Sequence, residues 1–289
     1  MSAPVWLANL IKKAFPYRKK IAHLSRIPII ATLMDKTIFN GDDMMYLPKD
    51  RVVIQQSIEQ PGSTVLPSAI VDHFIEKASY RWIMNTCICR EGDDCQEYPH
   101  DLGCVFLGEA VLTINPKMGR LATSEEALAH VHRARALGMV NLIGRDRIDN
   151  LWMGAHPFGK LMTICNCCPC CCLFRVIPAL DPINRAKITR MPGVRVWVDT
   201  SRCAGCGKCA GGMCFVEAIH MENGKAVISD ECRGCGRCVE ACPRNAIQLT
   251  IEDTGFLQKQ IARISGLVDV SSRPAQKKLR FHERFNEES

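Results

Sequence analysis

Eight of the eighteen cysteines lie in one C-terminal segment, where their spacing could bind iron–sulfur clusters. They form two runs, and two residues separate each of the first three cysteines in both runs. This spacing places three sulfurs on one tight loop, so they can bind three corners of a four-iron cluster while a fourth thiolate comes from elsewhere. The runs are Cys203, Cys206, Cys209 and Cys214, then Cys232, Cys235, Cys238 and Cys242.

The two runs are an internal duplication, because Cys203 and Cys232 are 29 residues apart and an Ala-Ile pair follows each run. The pattern C-x2-C-x2-C-x3-C-P, which ends at Pro243, resembles the bacterial two-cluster ferredoxins, over about residues 194 to 251. In that family the fourth cysteine of each run binds the other cluster. The resemblance therefore implies two [4Fe-4S] clusters, one on Cys203, Cys206, Cys209 and Cys242 and the other on Cys232, Cys235, Cys238 and Cys214.

The loops of the two runs contain glycines, and Gly205 and Gly234 are expected to contribute to cluster binding through backbone N–H groups. The first run departs from the family pattern, because four residues separate Cys209 from Cys214 and Phe215 stands where the family has proline. The added residue would change how Cys214 approaches its cluster. A pair of structural zinc sites is the alternative, since C-x2-C pairs also bind zinc, but the interlocked repeat argues against it.

A second cysteine group has the spacing C-x-C-x5-C-x8-C, which differs from the ferredoxin spacing. Four thiols in so short a loop suffice for one cluster, and a structural zinc site is the alternative. Arg90 directly follows the second of these cysteines and could donate to a cluster sulfur or offset cluster charge. The group consists of Cys87, Cys89, Cys95 and Cys104.

A third group places six cysteines within the segment ICNCCPCCC. The side chains of adjacent cysteines diverge, so some of these thiols must point away from any single cluster. One hypothesis is that this group and the second group converge on one or two shared clusters. Their arrangement resembles multi-cluster iron–sulfur proteins of anaerobic microbes, and doubled cysteines also occur in heterodisulfide reductases, although the spacing here differs. The third group consists of Cys165, Cys167, Cys168, Cys170, Cys171 and Cys172.

Composition argues against several other classes of protein. The formal charge is +7, but each four-iron cluster with its thiolates carries a charge of about −2, so the basic excess largely disappears and no nucleic-acid partner is expected. So many cysteines without a secretory leader favour a reducing cytoplasm. No apolar run reaches the roughly 18 residues of a membrane span. Motifs for radical SAM, P-loop and Rossmann chemistry are also missing from the sequence.

The elements that position these cysteines follow from apolar periodicity and caps. Residues 1–34 form a basic amphipathic segment that could cover the protein's own core, dock onto a partner subunit, or lie on a membrane surface through residues 1–20. A strand, or two short strands broken at Pro48, is expected near residue 45. The capping box at Thr123 and Glu126 predicts a helix from about Ser124 to Leu137.

We therefore expect an α+β protein with an irregular cysteine-rich domain at 35–192, a ferredoxin-like pseudo-twofold domain at 193–252, and a helix with a charged tail at 253–289. The expected cofactors are two [4Fe-4S] clusters in the C-terminal domain and one or two further iron–sulfur clusters in the N-terminal domain. The expected function is relay of low-potential electrons in a larger redox complex with flavin- or metal-containing subunits, in the cytoplasm or on its membrane face. The alternative is a reductase whose N-terminal cluster acts on a disulfide, a thiol or another small substrate.

Overall fold

A mixed β-sheet lies at the centre of the N-terminal two thirds of the chain in a computed structural model, which describes residues 2–57, 66–252 and 255–273. The strands of the described ranges are β1 Asp43–Tyr46, β2 Arg81–Met84, β3 Val105–Leu107, β4 Gly119–Leu121, β5 Val140–Arg145, β6 Met162–Cys167, β7 Ile188–Arg190, β8 Val194–Val198, β9 Ile219–Glu222, β10 Lys225–Ile228 and β11 Ile247–Ile251.

Helices cover this sheet and connect its strands. The α-helices of the described ranges are α1 Val5–Ala14, α2 Arg18–Leu24, α3 Pro28–Thr37, α4 Asp50–Ser57, α5 Ser68–Lys77, α6 Ile88–Gly92, α7 Ser124–Ala136, α8 Arg147–Met153, α9 Pro182–Arg185, α10 Arg237–Ala241 and α11 Phe256–Ser265. Short 3-10 helices occupy Phe15–Tyr17, Glu109–Thr113, Pro116–Met118, Leu173–Ala179 and Lys208–Ala210.

Seven strands form the large sheet in the order β4-β2-β3-β6-β5-β1-β7. All neighbouring strands in it are antiparallel except β1 and β7, which are parallel. Strand β6 lies in the middle and all of its residues are buried, as expected for a strand that is covered on both faces. The prediction of an irregular N-terminal domain is therefore wrong, because the apolar runs between the cysteine groups pair into a regular sheet.

Two local predictions have opposite outcomes. The helix predicted from Ser124 is confirmed: α7 begins with the full capping box, in which Thr123 and Glu126 bond to each other's backbone amides. The segment after Pro48 is instead helix α4, so only the β1 half of the predicted strand pair is a strand. Asp50 lies in the first turn of α4, where an acidic side chain stabilises a helix.

The C-terminal cysteine runs lie in a smaller unit made of two strand pairs. Strand β8 pairs with β11, with Val194 opposite Ile251, and β9 forms a hairpin with β10. Each run ends in one helical turn, which is the 3-10 helix Lys208–Ala210 in the first run and α10 in the second. Helices and mixed sheets together confirm an α+β fold.

The large sheet and the C-terminal unit share buried apolar packing. One cluster of buried side chains contains Val52 and Ile70 together with Val239 and Ile247. The chain then returns in α11, which packs against α5. The two regions therefore support each other, although the predicted boundary at residue 193 separates them in sequence. The charged tail at 274–289 lies outside the described residues, and none of the described helices is both long and apolar enough to span a bilayer.

Candidate metal centres

The eight C-terminal thiols form two groups that each combine both runs. Cys242 lines one small pocket with the first three cysteines of the first run, and Cys214 lies beside the first three cysteines of the second run. We call these groups quartet I (Cys203, Cys206, Cys209, Cys242) and quartet II (Cys214, Cys232, Cys235, Cys238). The structure thus brings together the same sulfurs that the ferredoxin resemblance groups.

Backbone amides point at these sulfurs in a matching pattern. Ala218 N–H donates to Cys214 Sγ at 3.3 Å, and Ala246 N–H donates to Cys242 Sγ at 3.2 Å. These alanines belong to the repeated Ala-Ile pairs, so the duplication extends to the hydrogen bonds. Hydrogen bonds of this kind favour the ionised sulfur of a metal ligand.

The two glycines expected to bind clusters lie in the loops of the quartets. Gly234 N–H donates to Cys232 Sγ at 3.4 Å, and the amides of Ala226 and Gly205 lower the pKa of Cys203. Gly205 and Gly234 have φ angles of 67° and 68°, in the left-handed region that favours glycine. A Cβ at Gly205 would also overlap the carbonyl oxygen of Gly224.

The two quartets differ in exposure. Cys206 of quartet I is exposed to solvent. Burial in quartet II raises the pKa of Cys235 to about 11 and also raises the pKa values of Cys232 and Cys238. Quartet I therefore includes a sulfur ligand at the protein surface, which quartet II does not.

The ten N-terminal thiols are divided between two sites, and the second and third sequence groups contribute to both. In the first site, β3 pairs with β6 so that Val105 lies opposite Ile164, and Cys104 comes next to Cys165 with 3.5 Å between their sulfurs. Cys167 lies two residues further along β6, and its sulfur is 3.1 Å from that of Cys172. With the two cysteines at the start of α6, these thiols form what we call the six-thiol row: Cys87, Cys89, Cys104, Cys165, Cys167 and Cys172. Cys168 lines the same cavity, but its sulfur belongs to the second site.

Hydrogen bonds and buried charges set the protonation of the row. The Cys89 thiol is the main cause that lowers the pKa of Cys87 to about 7, and Arg90 adds to this effect. Bonds from Cys165 and Cys172 lower the pKa of Cys167 well below its usual value. The surroundings of Cys87 and Cys167 therefore favour the thiolate, which is the form of cysteine that binds metal.

The row faces a large apolar cavity of about 540 Å³. Its walls include Ile11 of α1, Trp152 of α8 and Phe174 after the row. Quartet I lines a pocket of only about 20 Å³. The cavity beside the six-thiol row is therefore much larger than the pocket that the sulfurs of quartet I enclose.

The second N-terminal site is a group of four thiols that we call the compact quartet. Its sulfurs all lie within 4.8 Å of one another, and those of Cys95 and Cys170 are 3.4 Å apart. Cys95 is thus separated in the structure from the other three cysteines of the second sequence group, which belong to the six-thiol row. The members are Cys95, Cys168, Cys170 and Cys171.

Arg90 lies between the two N-terminal sites and is only 1% exposed. Its guanidinium donates to the backbone carbonyl oxygens of Asn166, at 3.1 Å, and Leu102. Burial opposes its charge, but the sulfurs of Cys87 and Cys168 outweigh this effect and raise the pKa of Arg90. A buried cation is costly unless anions lie nearby, so Arg90 favours ionised sulfur on both sides.

A second buried arginine, Arg237 of α10, lies between the six-thiol row and quartet II. It donates to the carbonyl oxygen of Cys167, and its charge acts on Cys167 and Cys235. Its Nε and Nη1 are buried and have no hydrogen-bond partner among the described residues. Buried donors of this kind normally have partners, so their orphaned state fits anionic groups that the thiols would hold here.

Two aromatic residues fill the same space. Tyr46 of β1 is fully buried and lies 4.5 Å from the ring of Phe215, and Arg237 lies 5.0 Å above that ring. No sequence pattern indicates a role for Tyr46 or Arg237, and Phe215 stands out in the sequence only as a departure from the family. The one available signal was a large apolar residue at the position of the family's proline.

Comparison with known proteins agrees with part of this description. The family of 4Fe-4S binding domains matches residues 225–248, which include the second cysteine run. No curated protein and no solved structure matches the chain. The chain thus contains a 4Fe-4S binding segment, and the prediction of iron–sulfur binding is confirmed at this level.

Proposed function

We propose that this chain is an electron-transfer protein that holds [4Fe-4S] clusters in quartets I and II and a further iron–sulfur cluster in the six-thiol row. Clusters of this kind exchange single electrons over a wide range of potentials. The thiols hold them, and backbone amides from the glycine-containing loops favour the thiolate form. The proposal extends the confirmed 4Fe-4S segment to the other cysteines of the chain.

One observation carries the proposal: a single buried cluster of side chains contacts the row and quartet II. It contains Cys165, Cys167 and Cys172 of the row, and Cys214, Cys232 and Cys235 of quartet II pack against it. Tyr46 and Phe215 belong to this cluster, so protein atoms fill the space between the sites and exclude water. Such dry, rigid packing suits electron exchange, because little has to reorganise when charge moves.

Metal and sulfide content of the anaerobically purified chain tests this proposal. We expect about eight irons from the two quartets and at least four more from the row, with a similar number of acid-labile sulfides. Cys104→Ser should lower the iron content and leave the EPR signals of the two quartets in place. About eight irons in both the wild type and Cys104→Ser would contradict a cluster in the row.

We also propose that the basic segment at residues 1–34 docks the chain onto a redox partner subunit that carries a flavin or a metal. Several large apolar side chains of α1 and α3 are exposed, among them Trp6 at 64%, Ile29 at 81% and Leu33 at 61%. Ile29 and Leu33 are four positions apart on α3 and so lie on one face of that helix, and exposed apolar side chains on one face are typical of interaction surfaces. Ile29→Glu should weaken partner binding in pull-down experiments, whereas binding to anionic vesicles would favour membrane contact instead.

The cavity beside the row favours a second candidate function, reduction of a small disulfide. This reaction adds two electrons and two protons to the disulfide and releases two thiols. The apolar walls would bind the substrate, and the carboxyl groups of Asp146 and Asp149 lie on the cavity wall. Burial raises the pKa values of both carboxyl groups, so each holds its proton to a higher pH than usual.

Spectroscopy separates the two functions. For a reductase, a small apolar disulfide should change the EPR signal of the row, and Ile11→Trp, which would fill the cavity, should abolish that change without loss of iron. For a relay alone, the signal should stay the same in both proteins. The quartet signals serve as the internal control.

A further inference from the structure

We propose that the compact quartet of Cys95, Cys168, Cys170 and Cys171 binds a single metal ion, zinc or iron, in a closed tetrahedral site. This inference goes beyond electron transfer, because it assigns four of the ten N-terminal thiols to a mononuclear centre without sulfide. The site would fix the loop after α6 to the turn after β6. It does not depend on the function proposed for the other thiols.

The spacing of the sulfurs is the first argument. Four sulfurs at about 2.3 Å from one tetrahedral ion lie about 3.8 Å from one another. In the compact quartet every pair of sulfurs lies within 4.8 Å, and Cys95 and Cys170 are 3.4 Å apart. A four-iron cluster needs a wider set, because its cysteine sulfurs lie outside a core of four irons and four sulfides.

The C-terminal quartets provide the comparison within the same molecule. Among the described residues, one group of at least three potential metal ligands has all of its ligand atoms within 4.8 Å of one another, and this group is the compact quartet. The sulfurs of quartets I and II are more widely spread, although these quartets carry the ferredoxin spacing. The compact quartet therefore differs in geometry from the sites expected to hold clusters.

The local sequence explains how three thiols of one short turn meet. Cys168, Cys170 and Cys171 fall within four positions, and Cα atoms of adjacent residues are only 3.8 Å apart. The amide of Cys171 donates to Cys168 Sγ at 3.4 Å, and Arg175 donates to the carbonyl oxygen of Pro169 at 2.6 Å. These bonds hold the turn so that all three sulfurs face one point.

The fourth ligand comes from a loop that is held separately. The amide of Cys95 donates to the carbonyl oxygen of Arg90 at 2.9 Å, and the carbonyl oxygen of Cys95 lies 2.8 Å from the His100 ring. Cys95, Cys168 and Cys171 are buried, and the partly buried Tyr98 packs against them. Among the described residues, the group that meets this distance consists of four thiols and includes no histidine or carboxylate, which is the closed donor set of structural metal sites.

The position of the turn gives the site a role. Cys167 and Cys172, which belong to the six-thiol row, directly flank the turn that contains three ligands of the compact quartet. A bound ion would therefore fix the ends of the turn and the spacing of these two row sulfurs. The mononuclear site would support the row without contributing a ligand to it.

Metal analysis of the full-length chain tests the proposal. We expect Cys170→Ser to lose one zinc or one iron per chain, with acid-labile sulfide and the EPR signals of the quartets unchanged. Loss of zinc identifies a zinc site, and loss of one iron without sulfide identifies a rubredoxin-type iron site. The matched control, Cys104→Ser in the row, should lose iron together with sulfide and keep the single ion.

Loss of about four irons and four sulfides from Cys170→Ser alone would overturn the proposal. If this variant fails to fold, X-ray absorption of the wild-type chain decides the question. A zinc edge with four sulfur neighbours at about 2.3 Å and no iron neighbour supports the proposal. The proposal is overturned if the wild-type chain contains no zinc and has one acid-labile sulfide for every iron.

Discussion

At the scale of single residues, two buried arginines are the main electrostatic feature of this protein. Arg90 and Arg237 are 1% and 6% exposed, and both lie among cysteine sulfurs. A guanidinium stays charged at any physiological pH, so these positions require negative charge nearby. Under the proposed function, thiolates with bound clusters would supply it, and the two arginines would then raise the reduction potentials of the neighbouring clusters.

Replacing Arg237 should lower a reduction potential. Without its positive charge, the extra electron of a reduced cluster in quartet II is less stabilised. With an effective dielectric constant near 20 and a separation of several ångströms, the loss is on the order of 100 mV for a one-electron step. An EPR-monitored redox titration of Arg237→Gln measures the shift.

Arg237→Lys and Arg195→Gln are the matched controls. Lysine keeps the positive charge, so the reduction potential of Arg237→Lys should be close to that of the wild type. The Arg195 side chain is 70% exposed beside Glu252, so its charge is screened by solvent and its loss should change the potential very little. Equal potentials in Arg237→Gln and Arg195→Gln would show that the buried charge does not act on the clusters.

At the scale of elements, strand register and tight loops bring the sulfurs together. The antiparallel pairing of β3 with β6 places Cys104 beside Cys165, and the alternation of β6 puts Cys165 and Cys167 on one face. In the C-terminal unit, loop glycines with positive φ allow the tight turns that bring the sulfurs together. These glycines differ in how much space a Cβ atom would have, so the effect of a close backbone contact can be tested separately from the effect of a positive φ.

Gly205→Ala should damage quartet I far more than Gly207→Ala. Both glycines have a positive φ, of 67° and 71°, so both variants carry similar backbone strain. A Cβ at Gly205 also overlaps the Gly224 carbonyl oxygen, whereas a Cβ at Gly207 meets no atom within 4 Å in the described part of the chain apart from its two sequence neighbours. Iron content and the EPR spectrum of the two variants check this difference. Equal loss of iron would mean that strain alone, and not the close approach to Gly224, matters.

At the scale of the whole molecule, the large sheet and the C-terminal unit depend on each other. Phe215 of the C-terminal unit packs on Tyr46 of β1, and the buried cluster around them contacts both the row and quartet II. Phe215, which stands where the two-cluster ferredoxins have proline, therefore packs the C-terminal unit against the large sheet. In the first run, a 3-10 turn and an added glycine precede Cys214, and Phe215 directly follows that cysteine.

Phe215→Ala should destabilise both regions together. Removing a buried phenylalanine ring costs about 3–5 kcal/mol, which lowers the Tm by roughly 5–8 °C in a protein of this size. Thermal unfolding followed by circular dichroism and by cluster absorbance should show coincident transitions.

Phe158→Ala is the control, because Phe158 is 53% exposed and its loss should change stability by no more than about 0.5 kcal/mol. A Tm of Phe215→Ala equal to that of Phe158→Ala would contradict the shared packing.

Sequence alone determined the features that depend on neighbouring residues. The cysteine spacing predicts a 4Fe-4S segment because three ligands lie on one loop, and the matched family confirms such a segment at 225–248. The capping box predicted α7 for the same reason, since a cap needs only residues three positions apart.

Only the tertiary structure decided which N-terminal thiols meet. Cys95 belongs to the second cysteine group in the sequence but joins Cys168, Cys170 and Cys171 of the third group, while Cys104 joins Cys165 across two paired strands. These contacts follow from long-range strand pairing, which short-range spacing does not encode. The same reason explains Arg237: its place between two thiol sites exists only after the C-terminal unit packs on the large sheet.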